Sequence, residues 1–135
     1  MIVLDASLVL ASMFKDERTP PVVAAFNAIP EAGAVVPSLW PLEVANGLQV
    51  AIKRKRIDVA FRDAAIAQLA LLPIEIDPET NIHAWKATLV LADRHDLTPY
   101  DAAYLELAQR RRLPLATLDR RLGQAADTAG VERLL

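Results

Sequence analysis

Short apolar runs, separated by longer segments of helical period, constrain this chain more than any other feature. The runs are "IVL" at Ile2–Leu4, "AVV" at Ala34–Val36, "PIEID" at Pro73–Asp77 and "PLATL" at Pro114–Leu118. Each is too short for a helix and meets an acid or a proline at its end, the pattern of a short strand. The segments between them read as helices: "ASLVLASMF", "VVAAFNAI" after "DERTPP", Trp40 to about Arg54, "VAFRDAAIAQLALL" capped by Asp58, a helix opened by Asp77-Pro78, Pro99 to about Arg111, and "RRLGQAADTA" from Asp119 to Gly130. "VERLL" is expected to add a short final strand. Strands that return through helices run parallel, and a parallel sheet needs both faces covered. The predicted fold is therefore α/β, a three-layer α/β/α sandwich on a short central parallel sheet. At 135 residues and 53% hydrophobic content the chain supports one core, read as a single domain over residues 1–135.

Periodicity also predicts which faces turn inward. Leu42, Ala45, Leu48 and Ile52 share one face of their helix, and Ile82, Trp85, Leu89 and Ala92 share one face of theirs. The alternation in "PIEID" predicts an edge strand with one wet face.

In sheets of this kind ligands bind beyond the carboxyl ends of the strands, near a reversal in strand order. Four acids are expected on that rim. Asp5 ends the first strand, Asp119 ends the "LATL" strand, Glu43 lies in the first turn of the helix after the second strand, and Asp101 lies in the first turn of its own helix. Each taken singly has an ordinary explanation. Asp5 and Asp119 can be N-caps, Glu43 suits a helix dipole, and Thr98-Pro-Tyr-Asp101 fits a capping box. Together they need another, because four unscreened carboxylates in one place repel. A cation removes that repulsion. Oxygen-only ligands, in a chain without cysteine and without paired histidines at His83 or His95, suit Mg²⁺ or Mn²⁺. One or two such ions can activate a water for attack on a phosphate ester. If Asp101 serves this site, its carboxylate faces Asp5 rather than its own helix. Ser7 and Thr117, each two residues from a rim acid, are candidate hydroxyls to orient a carboxylate or a water on the metal.

Other chemistries lack their residues. There is no "GxxxxGK[ST]", "GxGxxG" or "GxSxG", and only four glycines are present to build a phosphate-cradling loop. Asp5-Ala6-Ser7 is not a "DxD" phosphatase motif. A net charge of -2 announces no general attraction to nucleic acid, so charge placement matters more than the total. "KRKR" at Lys53–Arg56 and "RRR" at Arg110–Arg112 read as solvated helix ends. Arg120 and Arg121, following Asp119 on the rim, are placed to hold phosphates. Aromatic residues make up only 5%, which argues against base stacking as the main recognition mode. The apolar start "MIVLDASLVLASMF" lacks a basic leader and is interrupted by Asp5, and no apolar run approaches the ~20 residues of a membrane span. A cytoplasmic location is expected.

The ordered set of segments resembles the PIN-domain nucleases, and among them the VapC-like toxins of toxin–antitoxin pairs. "IVLDASLVLASMF" resembles the family's opening motif with Asp5, "VVPSLWPLEVANGL" the segment with its glutamate, Glu43, and "LTPYDAAYLELAQRRRLPLATLDRRL" the stretch with Asp101 and Asp119. The resemblance implies Mg²⁺- or Mn²⁺-dependent cleavage of RNA, a homodimer, and a cognate antitoxin that inserts into the active-site groove. It implies that Asp5, Glu43, Asp101 and Asp119 are catalytic and metal-binding. Two other readings use the same residues: a non-catalytic binding module in which the acids are caps, and a different Mg²⁺-dependent phosphohydrolase.

Overall fold

The computed structural model describes residues 1–135. Five parallel strands form one sheet: β1 (Ile2–Leu4), β2 (Ala34–Val36), β3 (Ile74–Ile76), β4 (Leu115–Ala116) and β5 (Arg133–Leu134), in the order β3-β2-β1-β4-β5. The predicted sandwich is the fold observed, with the "PIEID" strand at one edge and the final strand at the other. The three central strands are completely covered, as parallel strands with helices on both faces must be.

Nine helices make the crossovers. α1 (Ala6–Met13), α2 (Pro20–Asn27), α3 (Ile29–Ala32), α4 (Trp40–Lys53) and α5 (Val59–Leu69) connect β1 to β2 to β3, all moving toward one edge. α6 (Thr80–His83), α7 (Ala87–His95) and α8 (Pro99–Arg111) carry the chain back across the sheet to β4, and α9 (Arg120–Thr128) leads on to β5. Right-handed crossovers running in opposite directions place their helices on opposite faces. Accordingly α1 packs on α2 and α4, and α8 packs on α7 and α9. The strand order reverses between β1 and β4, so the crevice between their carboxyl ends is the place for a site.

α8 explains why the sheet is well covered. Every residue from Ala102 to Ala108 is buried, so this helix is enclosed on all sides rather than amphipathic. Its start is set by Thr98, whose hydroxyl accepts from the Asp101 amide at 3.1 Å, and by Pro99 at the first helical position.

Two predicted faces are corrected. α4 buries Trp40, Val44, Leu48 and Ala51, whereas Leu42 is 76% exposed. Apolar residues occur on more than one side of this helix, and docking Trp40 selects the phase. The helix expected from Asp77 onward is two helices, because Lys86 adopts φ -122°, ψ -102° and breaks the run. That break resets the phase. Ile82, Trp85 and Leu89 are exposed, and Thr88, Leu91 and Ala92 form the buried side of α7.

Candidate active site

The rim at the β1–β4 reversal is built around Asp5. Its backbone amide donates to the Ala116 carbonyl at 3.0 Å, so strand pairing extends one residue past β1 and pins the acid. Asp5 occupies the N-cap position of α1, yet its side chain makes no capping hydrogen bond. Instead the Ser7 hydroxyl donates to Oδ2 at 2.7 Å and the Thr117 hydroxyl donates to the same oxygen at 2.6 Å. Ser7 Oγ accepts from the Leu118 amide at 3.1 Å, and Thr117 Oγ1 accepts from the Asp119 amide at 3.0 Å. The two hydroxyls therefore tie the end of β1 to the loop after β4. Thr117 is buried, so Thr117→Val leaves Oδ2 short of a donor and strands the Asp119 amide. A loss of about 1–3 kcal/mol is expected, read by chemical denaturation beside the wild type. Unchanged stability would show that water replaces the hydroxyl.

Asp119 is a true N-cap: its Oδ1 accepts from the Leu122 amide at 2.8 Å. Asp101 is half-buried in the first turn of α8. Only one half of the expected capping box forms, since the Asp101 amide donates to Thr98 while its carboxylate accepts nothing from the Thr98 amide. Glu43, in the first turn of α4, accepts from the buried Tyr104 hydroxyl on α8.

Electrostatics link the four acids. Burial raises the Asp5 carboxyl above its ordinary range and the Asp119 charge adds to this, against the two hydroxyls. Burial likewise raises Glu43, with the charges of Asp5 and Asp101 adding and Tyr104 opposing. Asp101 is raised to about 6, by burial first and then by Asp119 and Asp5, with Thr98 opposing. The same environment holds Tyr104 protonated, through burial first and then the Asp5 charge and the bond to Glu43. None of the four acids forms an ion pair with a basic side chain of this chain. As the side chains stand, no three acids or histidines approach closely enough to enclose an ion by themselves.

A fifth acid sits at a strand end and behaves oppositely. Asp77 follows β3 and is buried, but Arg110 of α8 donates to its Oδ2 at 2.6 Å and its Oδ1 at 3.3 Å. Arg110 also grips the buried Glu106 at 2.8 Å and 3.0 Å. Burial alone would raise Asp77, yet Arg110, the Glu79 amide and Thr80 together hold it below the usual range. Asp77, expected only to open a helix, is thus an internally neutralised acid.

A model of the PIN domain matches residues 2–128. The chain belongs to the PIN-domain family. Among its relatives, VapC ribonuclease Mb0985 of Mycobacterium bovis is 32% identical over 129 residues, covering 94% of this chain and 92% of that protein. Ribonuclease VapC3 of Pyrobaculum aerophilum is 32% identical over 127 residues, covering 91% of this chain and 92% of that protein. In fold it is similar to the crystal structure of PAE2754 from Pyrobaculum aerophilum, with a TM-score of 0.71 and 24% identity over 98% of this chain and 83% of that one.

In this PIN domain the remaining sequence candidates fall as follows. Arg120 and Arg121 are exposed in the first turn of α9, beside Asp119; Arg120 has no ion pair, and Arg121 only approaches the exposed Asp96 at 4.0 Å. The two basic runs are not simple solvated ends. Arg110 is the hub just described, and Arg56 bonds Asp16 at 2.7 Å while lying 4.3 Å over the Phe14 ring. The residue that sequence reasoning missed at the site is Tyr104. Its signal was the spacing: three residues after Asp101 on a helix places it on the same side.

Proposed function

We propose that this PIN-domain protein is a metal-dependent endoribonuclease, the toxin of a toxin–antitoxin pair, acting in the cytoplasm on RNA phosphodiester bonds. The observation that carries the reading is the contrast in counter-ions. The buried acids Asp77 and Glu106 share Arg110, whereas Asp5, Glu43 and Asp101 on the rim, their pKa values raised by burial first and then by neighbouring acids, have no cation from the chain. Buried charges are ordinarily paired or coordinate a metal. The relatives' designation as ribonucleases supports the choice of RNA.

The donor set fits Mg²⁺ or Mn²⁺, being all oxygen. Mg²⁺ keeps several waters and needs only one or two carboxylates, which suits acids that do not close on a single point. Asp5 and Asp101 would hold it, Glu43 would bind it or orient the attacking water, and Asp119 would hold a second ion or fixed waters. When bound, the ion supplies positive charge to the reacting phosphate and acidity to a water. The chain's own residues do the positioning. Ser7 and Thr117 keep Asp5 in place through Oδ2, and Arg120 and Arg121 hold phosphates along the rim. The water oxygen joins phosphorus, the ester P–O bond breaks, and the departing oxygen takes up a proton. The same proposal includes a cognate antitoxin and a homodimer, the latter supported by the exposed Ile82, Trp85 and Val90.

The test is calorimetric titration of the purified protein with Mn²⁺, alongside RNA cleavage with and without a chelator. Carboxylates must lose their protons to bind, and Asp101 does so only at about pH 6. Mn²⁺ affinity and cleavage should both rise between pH 5 and pH 7 (roughly, following that titration), and chelation should stop cleavage. Intact RNA in the presence of Mn²⁺ at neutral pH would overturn the reading.

A further inference from the structure

A tyrosine in a fully packed core needs a reason for its hydroxyl. Tyr104 is 0% exposed, among the largest buried side chains, and surrounded by the apolar core. Phenylalanine would fill nearly the same volume without the cost of taking a hydroxyl out of water, which is repaid only by a hydrogen bond. The bond Tyr104 makes runs across the molecule, from α8 to Glu43 on α4, 61 residues away. It is also the only hydrogen bond from a side chain that Glu43 receives, since no lysine or arginine reaches that carboxylate. Because Tyr104 lies one turn into α8 from Asp101, the helix that presents one rim acid also holds a second one.

We infer that Tyr104 is a positioning residue, whose hydroxyl holds Glu43 Oε1 and so leaves the other carboxylate oxygen, Oε2, to serve the rim. The inference rests on the nuclease reading and deepens it. A phenol suits this task better than a basic residue. It fixes the carboxylate through a single directed bond without cancelling its charge, whereas an arginine would neutralise the acid as Arg110 does for Asp77. The hydroxyl is the counterpart on Glu43 of Ser7 and Thr117 on Asp5: both carboxylates are held by neutral donors.

The experiment is Tyr104→Phe, compared with wild type, Glu43→Gln and the double variant. Mn²⁺ affinity is read by calorimetry, kcat and KM by RNA cleavage, and folding by thermal melting. Tyr104→Phe should stay folded. Its Mn²⁺ affinity or kcat should fall by about 10–100-fold, the usual effect of removing a partner that orients a ligand, with KM for RNA unchanged. In the Glu43→Gln background the same change should cost nothing further, because there is no carboxylate left to position. Wild-type Mn²⁺ affinity and kcat in Tyr104→Phe would overturn the inference, as would losses that simply multiply in the double variant, or a variant that fails to fold. Wild-type protein that neither binds Mn²⁺ nor cuts RNA would overturn the nuclease reading itself, and this inference with it.

Discussion

Replacing Asp101 by asparagine should abolish RNA cleavage and leave a protein that is more stable at neutral pH, not less. Removing a partner that merely orients a metal ligand costs 10–100-fold, so loss of a ligand itself should exceed about 100-fold. The gain in stability follows from the raised pKa. The folded protein retains the Asp101 proton up to about pH 6, whereas the ordinary value is 3.8. Between those values the native state binds more protons than the unfolded one, so stability falls as pH rises, and the penalty is fully present at pH 7. Asparagine cannot ionise and removes it. Asp101 is half-exposed and solvent screens its interactions, so the gain is about 1 kcal/mol, or roughly 3 °C in Tm. The helix start survives, because Thr98 accepts from the Asp101 backbone amide and not from its side chain. Expression in bacteria should show growth arrest by wild type only, and melting of the purified pair should show the shift. A drop of several degrees would mean that the carboxylate is structural, and wild-type activity would remove Asp101 from the site.

The largest loss of stability is expected elsewhere, from Arg110→Met. Methionine keeps much of the aliphatic packing but removes the one cation shared by Asp77 and Glu106, both nearly inaccessible to solvent. Breaking a buried pair by deleting one partner costs about 3–5 kcal/mol. That is a large part of the roughly 5–15 kcal/mol by which domains are stable, and it should lower Tm by ~10 °C. The pKa of Asp77 is depressed, so this contribution is present above the ordinary carboxylate range and lost as pH falls into the acid region. The difference between variant and wild type should shrink there. Mn²⁺ affinity should not change, because this cluster belongs to the β3–α8 contact and not to the rim acids. A metal-binding defect in a folded Arg110→Met protein would contradict that separation.

These two acidic groups mark how far the sequence could be read. Ile2–Leu4 and Ala34–Val36 are strands over the residues expected, and α8 runs from Pro99 to Arg111 as its proline and basic end indicate. Such features depend on near neighbours: a short apolar run, a cap, a helix period. The placement of Asp5 and Asp119 on either side of the β1–β4 reversal follows from the same local signals once the strands are parallel. By the same rule Asp77 is also an acid at a strand end, and nothing local distinguishes it.

The sequence by itself determined the α/β class, the parallel sheet and the set of acids presented along its carboxyl edge, because strand length, helix period and capping are short-range properties. Tertiary structure decided which of those acids keep an uncompensated charge. Arg110 meets Asp77 across 33 residues and Tyr104 meets Glu43 across 61, contacts that no local pattern encodes. It also decided the phase of α4 and α7. Where a helix is apolar on several sides, or is broken at one residue as at Lys86, its period is legible but the face it buries is chosen by what it packs against.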